Sequence, residues 1–212
     1  LTMPGIVQVE DFDSIHSEWE NILPHSSTNS IFYAPWLQHL WWKHFSSDKK
    51  LILLSIRNNE KLIGIAPLVS CDGQITFIGG TDLFDCHDFI VLKGMESEFY
   101  SVLWTHLIDL NWNSLNLFSL PENSPTLTYL ADIVKSPGIL VHIAEEDKSP
   151  VAYLPSTWDE YIDGLSKKHR HELRRKMRRL KAEGTYDQYL CDNEKTVLEG
   201  MEDFFRLHRA SR

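Results

Sequence analysis

The sequence predicts a mixed α+β fold, an α/β arrangement in which helices flank both faces of a mixed sheet. Three observations favour it. The 212 residues are 42% hydrophobic and 24% charged, which is ordinary for a globular protein with a buried core. Short apolar segments of strand length come first and form a meander. From about residue 96, segments with the 3.6-residue period of amphipathic helices alternate with further strands.

Local signals set the predicted elements of the first 150 residues. Pro35 suits the first turn of a helix, where its missing N–H is not needed, and Asn58 and Asn59 suit a hairpin turn with positive φ. Helices are predicted over 11–22, 34–45 and 96–110, with a short one that opens at Ser124 and Pro125. Strands are predicted over 51–56, 62–69, 74–78, 89–92, 115–120 and 139–143.

The composition changes near residue 150, where a run of helical signals begins. Thr157 and Glu160 form a capping box, the sequence pattern of a helix start. A basic helix follows and ends at Gly184, a common C-terminal stop, and a strand over 186–190 and a helix over 194–209 come next. We therefore predict two domains, one over residues 1–150 and a second over residues 151–212.

The net charge of −9 is unevenly distributed along the chain. Residues 167–181 hold nine Lys or Arg and one Glu, whereas the rest of the chain is strongly acidic. A charge run is usually a solvated helix face, but pairing at i,i+4 cannot neutralise nine cations with one carboxylate. A positive face beside an active site would attract an anionic or phosphorylated substrate, so both interpretations stay open.

Three arginines of this helix, Arg170, Arg174 and Arg178, lie at i, i+4 and i+8 and form one ridge. We predict that they bind an anionic substrate or donor group, because a planar guanidinium can grip a phosphate or carboxylate with two hydrogen bonds. Apolar residues about one turn apart are expected to anchor the opposite side of the helix in the core, namely Leu173, Met177 and Leu180.

The segment 82–88 concentrates potential metal ligands directly after a predicted strand, and its last four residues are Asp85, Cys86, His87 and Asp88. Adjacent residues of an extended chain point to opposite faces, so few of them could share one ion, and we predict no metal site. Polar loops after strands often carry function. We expect this loop to line an acceptor cleft in which His87 or Asp85 orients a hydroxyl or amine. A plain surface turn is the alternative.

The sequence carries no sign of export or of a membrane span. Cys71, Cys86 and Cys191 are scattered and lack CxxC spacing, which favours reduced thiols and a cytoplasmic location. No signal peptide is visible, and no apolar run approaches the ~20 residues that span a bilayer. Leu1 is not a start methionine and Arg212 ends a patterned helix, so we expect both ends to be cuts and the second domain to be truncated.

Two motifs carry a family resemblance. They are Leu-Pro-x-Thr-Trp-Asp-Glu-Tyr at 154–161 and Leu-Ser-x-Lys-x-Arg-x-x-Leu-Arg-Arg at 165–175, and the downstream helix contains a matching segment at 204–209. This pattern resembles the GNAT-superfamily acetyltransferases of the CelD-like type, often labelled cellulose-biosynthesis proteins, which are related to the Fem-type aminoacyltransferases. The aromatic helix near residue 36, the segment 64–68 and the loop 82–88 are similar more loosely.

The resemblance implies two tandem GNAT-like halves and an acyltransferase activity. Acyl-CoA, most simply acetyl-CoA, would be the co-substrate, and the acceptor would be an amine or hydroxyl of a sugar or cell-envelope precursor. GNAT enzymes grip the CoA pyrophosphate with a Gly-rich turn at a helix N-terminus, and the sequence has no such turn. We therefore expect this turn and the general base to lie beyond residue 212, and residues 1–212 alone to be inactive.

Two alternatives remain open. A Fem-type enzyme would transfer an amino acid from charged tRNA to a peptidoglycan precursor, with the basic helix on the tRNA phosphates. A non-enzymatic nucleic-acid-binding module would use the same helix, but the overall acidity of the chain disfavours it. For the leading interpretation we expect a small-molecule or glycan-precursor partner and no nucleic acid.

Overall fold

The computed structural model describes residues 5–134, 138–185 and 187–211. Across these residues the chain adopts a mixed α+β fold, as predicted. It divides into two compact units, Leu1–Lys148 and Ser149–Arg212. None of the helices in the described ranges combines the length and the apolar character needed to cross a bilayer.

The first unit is built around a mixed sheet of six strands. They are β1 (Ile6–Val9), β2 (Lys50–Asn58), β3 (Lys61–Cys71), β4 (Gln74–Phe77), β5 (Ile90–Val91) and β6 (Ser114–Asn116). The order is β1-β2-β3-β4-β6, and β5 pairs with β3 beside the end of β4. The pairing of β4 with β6 is parallel, and the other pairings are antiparallel.

The hairpin of β2 and β3 forms the centre of the sheet. Successive side chains of a strand point to opposite faces, and here both faces are covered, so β3 is a nearly continuous buried apolar run. Its turn places Asn59 and Glu60 at positive φ, 47° and 68°, one residue later than the predicted pair. Two consecutive positive φ values match the twist of the strands that the turn joins.

Helices cover both faces of the sheet. They are α1 (Phe12–Ile22), α2 (Pro35–Phe45), α3 (Glu96–Ile108), a short π-helical segment (Thr126–Leu130) and α4 (Ala131–Ile133). One hydrophobic cluster packs α1 and α2 against the sheet around Trp19 and Ile65. The second packs α3 and the π-helical segment on the other face around Phe89 and Phe99.

Two predicted strands are wrong. The residues 139–143 form no strand, and Leu140 is 93% exposed. The residues 187–190 form none either, while Tyr186 lies outside the described residues. The apolar pattern of both segments is that of a strand, but a strand also needs a neighbour with free backbone N–H and C=O groups. Neither segment has such a neighbour within the described part of the chain.

One strand of the sheet, β1, is not predicted from the sequence, and another, β6, is shorter than predicted. β1 pairs with β2 at the edge of the sheet and keeps most of its side chains exposed, so its apolar signal is weak. The strand predicted over 115–120 ends as β6 at Asn116. Ser119, three residues further on, has a positive φ of 55°, which a β-strand cannot accommodate.

The second unit contains α5 (Trp158–Gly164), α6 (Lys167–Glu183) and α7 (Glu194–Ala210). The predicted capping box is formed at the start of α5, where the Thr157 hydroxyl accepts the Glu160 N–H at 3.2 Å and the Glu160 carboxylate accepts the Thr157 N–H at 3.2 Å. Ile162 is the one buried residue in the described part of this unit.

The predicted anchoring of α6 in a core is wrong. No described residue of α6 is buried. Its apolar side is half-buried or exposed, with Leu180 52% exposed. A single buried residue in the described part of the unit offers no core for Leu173, Met177 and Leu180 to enter.

Candidate functional site

The loop that follows β4 turns tightly and then returns to the sheet. Gly79 has a positive φ of 119°, a conformation that favours glycine. The Gly80 carbonyl accepts the N–H groups of Leu83 and Phe84 at 2.9 and 3.0 Å, which closes the turn. Phe84, 2% exposed, then anchors the loop in the hydrophobic cluster of α1 and α2 and brings His87 back against the sheet.

The imidazole of His87 is held between two phenylalanine rings. Its centroid lies 5.8 Å from that of Phe77 and 5.4 Å from that of Phe84, with interplanar angles of 10° and 14°. Neither Nδ1 nor Nε2 has a hydrogen-bond partner among the described residues. Burial lowers the pKa of His87 to about 4, although the carboxylate of Glu146 opposes this shift. The ring is therefore neutral at pH 7, with one N–H donor and one nitrogen acceptor unused.

A cavity of about 370 Å³ lies beside this ring. Its wall combines two aromatic faces, a carboxylate, two threonines, two glycines and the imidazole. The lining residues are Thr76, Phe77, Gly79, Gly80, Thr81, His87, Phe118 and Glu146. A volume of this order suits a small ligand or one sugar-sized group, and the few polar groups among aromatic side chains are typical of small-molecule sites.

Ser119 connects the two polar groups of the cavity. Its backbone N–H donates to the Glu146 carboxylate at 2.8 Å, and its carbonyl accepts the backbone N–H of His87 at 3.0 Å. Ser119 adopts the left-handed conformation, which costs about 1 kcal/mol or more for a residue other than glycine. The surrounding hydrogen bonds hold this conformation, and it places both polar groups at the cavity.

Asp88 fixes the chain directly after His87. It is 1% exposed, and its Oδ1 accepts the Phe89 N–H at 2.9 Å and the hydroxyl of Thr126. The Thr126 oxygen also pairs with the Tyr100 hydroxyl at 2.8 Å. Burial raises the pKa of Asp88 to about 6, although the hydroxyls of Thr126 and Ser124 partly oppose this shift. Asp88 is thus part of a buried polar network that ties the loop to α3 and the π-helical segment.

The structure separates the two loop residues that are predicted to orient an acceptor. His87 lines the cavity, whereas Asp85 is exposed and is not among its lining residues. Asp85, Cys86, His87 and Asp88 do not converge on one point. In the described ranges, no group of three or more His, Cys, Asp or Glu side chains is arranged to hold a metal ion.

The three arginines of the predicted ridge have different surroundings. Arg170 Nη2 donates to the carbonyls of Asp163 and Leu165 at 2.7 and 3.0 Å, so it caps the C-terminal end of α5. Arg170 and Arg174 also lie 3.9 and 3.7 Å from the Asp163 carboxylate. Arg174 and Arg178 are exposed, so their guanidinium groups are accessible to an anion.

Sequence reasoning missed most of the cavity wall. Glu146 lies after the strand predicted over 139–143, in a segment with no predicted element, and Phe118 and Ser119 lie in the strand predicted over 115–120. No local pattern links these positions to His87, because the fold brings together four separate stretches of the chain. Two parts of the wall have a sequence signal, namely Gly79 in a glycine pair directly after a strand and His87 in the polar loop that follows.

Comparisons with protein families and with curated sequences identify no relative of the chain. No protein-family model matches the chain, and no curated protein sequence matches it significantly. The resemblance to CelD-like acetyltransferases therefore stays a prediction from the motifs at 154–161 and 165–175.

Proposed function

We propose that the protein is an acyltransferase whose first unit binds the acyl acceptor in the cavity beside His87. The acceptor is an amine or hydroxyl of a sugar or cell-envelope precursor, and the donor is acyl-CoA, which implies a reaction in the cytoplasm. The observation that carries the proposal is a cavity of small-ligand size whose wall contains His87, both ring nitrogens of which are buried without a hydrogen-bond partner among the described residues. A buried polar group without a partner is costly, and a ligand that supplies the missing hydrogen bonds is favoured.

In the proposed reaction His87 orients the acceptor and does not deprotonate it. A general base works best when its pKa is close to the working pH, and the pKa of His87 is far below neutrality. The acceptor oxygen or nitrogen attacks the thioester carbonyl carbon, a new C–O or C–N bond forms, and the C–S bond breaks. The acceptor proton leaves, and coenzyme A departs as its thiol once its sulfur is protonated.

The donor needs a different surface from this cavity. Glu146 in the wall would repel the phosphates of acyl-CoA, and among the residues that the structure describes no Lys or Arg lines the cavity. The exposed cations of α6, Arg174 and Arg178 among them, would attract such phosphates. This division of charge supports an acceptor site on the first unit and an anion-binding surface on the second.

The test is the release of free thiol from acetyl-CoA by the complete protein, with a panel of amino-sugar and polyol acceptors. His87→Phe keeps a ring between Phe77 and Phe84 but removes both nitrogens, so the acceptor loses its orientation. We expect kcat/KM to fall about 100-fold, the scale of losses from a misplaced reactant. The control is His44→Phe, at an exposed position of α2, which should leave the rate within about twofold. An unchanged rate in His87→Phe would exclude the cavity as the acceptor site.

One observation favours a second candidate, a Fem-type enzyme that uses charged tRNA. No described residue of α6 is buried, so its basic side chains could follow a phosphate backbone. Fluorescence anisotropy with labelled tRNA distinguishes the two donors. Binding that weakens steeply with salt, together with no turnover of acyl-CoA, would replace the leading proposal with this one.

A further inference from the structure

The wall of the cavity beside His87 carries a negative charge. Glu146 is the charged side chain of its wall, and no Lys or Arg is among the lining residues in the described part of the chain. Burial keeps the imidazole of His87 neutral. Residues 1–148 contain nineteen Asp or Glu and eight Lys or Arg, so the surrounding field is also negative. A cationic ligand is therefore attracted and an anionic one repelled.

The Glu146 carboxylate is held in place but is not neutralised. Its Oε2 accepts the Ser119 N–H at 2.8 Å, and no ion pair or further hydrogen bond involves it within the described ranges. The nearest competing cation in sequence, Lys148, pairs with Glu145 at 3.3 Å instead. One carboxylate oxygen therefore stays free for a charge-assisted hydrogen bond from an ammonium group, which is about twice as strong as a bond between neutral groups.

His87 adds a second, neutral recognition point. A Cβ atom at position 79 would lie 2.5 Å from Nε2, so glycine allows the backbone to pack closely against this edge of the ring. A neutral imidazole with free nitrogens can both donate to and accept from a hydroxyl group. Phe77 and Phe118 complete the wall with apolar rings, which suit the C–H face of a small ring.

We propose that this cavity binds a primary ammonium group with a neighbouring hydroxyl, the arrangement found in amino sugars and amino alcohols. Glu146 binds the ammonium and His87 binds the hydroxyl. The role of this ligand as acyl acceptor rests on the proposed function, whereas its binding does not. In the transfer the ammonium first gives one proton to water, and the free amine attacks the thioester. A C–N bond then forms, the C–S bond breaks, and the second amine proton is released as coenzyme A leaves.

Three sugars of one ring size test the charge preference directly. Glucosamine, glucose and glucuronate present a cation, no charge and an anion, and ligand-observed NMR on the complete protein measures their dissociation constants below neutral pH, where the amine is charged. We expect glucosamine to bind at least about tenfold more tightly than glucose, and glucuronate more weakly than glucose. Added salt should narrow these differences.

Two matched variants test whether the preference for a cationic sugar arises from Glu146. Glu146→Gln keeps the shape of the side chain but removes its charge, and it should weaken glucosamine binding about tenfold while glucose binding changes little. Glu145→Gln removes the same charge one residue away, outside the cavity wall, and should stay within about twofold of the wild type.

The outcomes separate this inference from the proposed function. Equal binding of glucosamine and glucose, or unchanged glucosamine binding in Glu146→Gln, overturns the ammonium site. Acyl transfer to hydroxyl acceptors alone overturns the role of the bound amine as acyl acceptor, while the ammonium site and the acyltransferase proposal stand. Charge-dependent glucosamine binding without turnover of any acyl-CoA supports the ammonium site and overturns the acyltransferase proposal.

Discussion

At the residue scale, His87 and Asp88 are neighbours in sequence, and burial shifts the pKa of each in the opposite direction. The pKa of His87 falls from 6.5 to about 4, because the protonated imidazole would be buried. The pKa of Asp88 rises from 3.8 to about 6, because the carboxylate would be buried. The His87 ring lines the cavity, whereas the Asp88 side chain is buried in the core. Two consecutive residues thus contribute one to the candidate ligand site and one to the hydrogen bonds that hold the loop in place.

These shifts predict opposite effects of pH on the free energy of unfolding. The stability linked to neutral His87 is present above pH 6.5 and is lost as the pH falls towards 4. The stability linked to protonated Asp88 is present below pH 3.8 and is lost as the pH rises through 6. Each shift of two or more pKa units corresponds to about 3 kcal/mol. In the wild type the two effects largely cancel between pH 4 and 6.5.

Single variants should reveal the two effects. Relative to the wild type, Asp88→Asn should gain about 3 kcal/mol of stability when the pH is raised from 4 to 7, because it no longer has a carboxylate to ionise. His87→Phe should gain a similar amount when the pH is lowered from 7 to 4. Urea unfolding at both pH values measures the differences. Variants whose stability differs from that of the wild type by the same amount at both pH values would show that neither group is linked to folding.

At the level of single elements, the side chains of α6 have different surroundings along its length. Its first turns are tied to α5, because the Arg170 guanidinium caps the carbonyls of Asp163 and Leu165. Further along, Arg174 and Arg178 are exposed. The three arginines of the predicted ridge are evenly spaced along the helix, but their contacts differ. Arg170 is a capping group, whereas Arg174 and Arg178 are accessible cations.

Charge-conserving variants distinguish capping from anion binding. Arg170→Lys keeps the positive charge, but its shorter side chain ends before the position of Nη2 between the two carbonyls, so we expect it to destabilise the α5–α6 connection by about 1 kcal/mol. Arg178→Lys keeps the charge at an exposed position and should change stability by less than about 0.5 kcal/mol. Hydrogen exchange of the α5 amides is the measurement. Equal protection in both variants would contradict a capping role for Arg170.

The elements also show how far the sequence alone determines this fold. The helices and the long hairpin are predictable because their apolar periods and capping residues are local signals. The edge strand β1 and the residues 139–143 are not, because a strand depends on whether a partner strand is available. The cavity is the hardest part to predict. Its wall joins Gly79, His87, Phe118 and Glu146 from separate stretches, and no local pattern records their proximity.

At the scale of the whole molecule, charge is divided between the two units. The first unit is acidic and has a cavity with a carboxylate, whereas the second contains a helix with nine Lys or Arg and one Glu at 167–181. An acyl transfer from acyl-CoA to an amine needs a surface for a polyanion and a site for a cation. A single surface of uniform charge would repel either the anionic acyl-CoA or the cationic amine. An acidic first unit and a basic helix in the second unit would attract one substrate each.

This division predicts that the two binding functions can be removed separately. In the complete protein, replacing both Arg174 and Arg178 by Gln should weaken acyl-CoA binding about 100-fold or more, since each of the two lost charge-assisted hydrogen bonds is worth about 1.5–3 kcal/mol. The loss should shrink at high salt, because screening already weakens the wild-type attraction. Glucosamine binding should be unchanged in this double variant, and acyl-CoA binding should be unchanged in Glu146→Gln. Calorimetric titration of each variant with each ligand measures all four affinities. If the double variant binds acyl-CoA as the wild type does, α6 is only a solvated face. If the complete wild-type protein binds no acyl-CoA, the acyltransferase proposal itself is excluded.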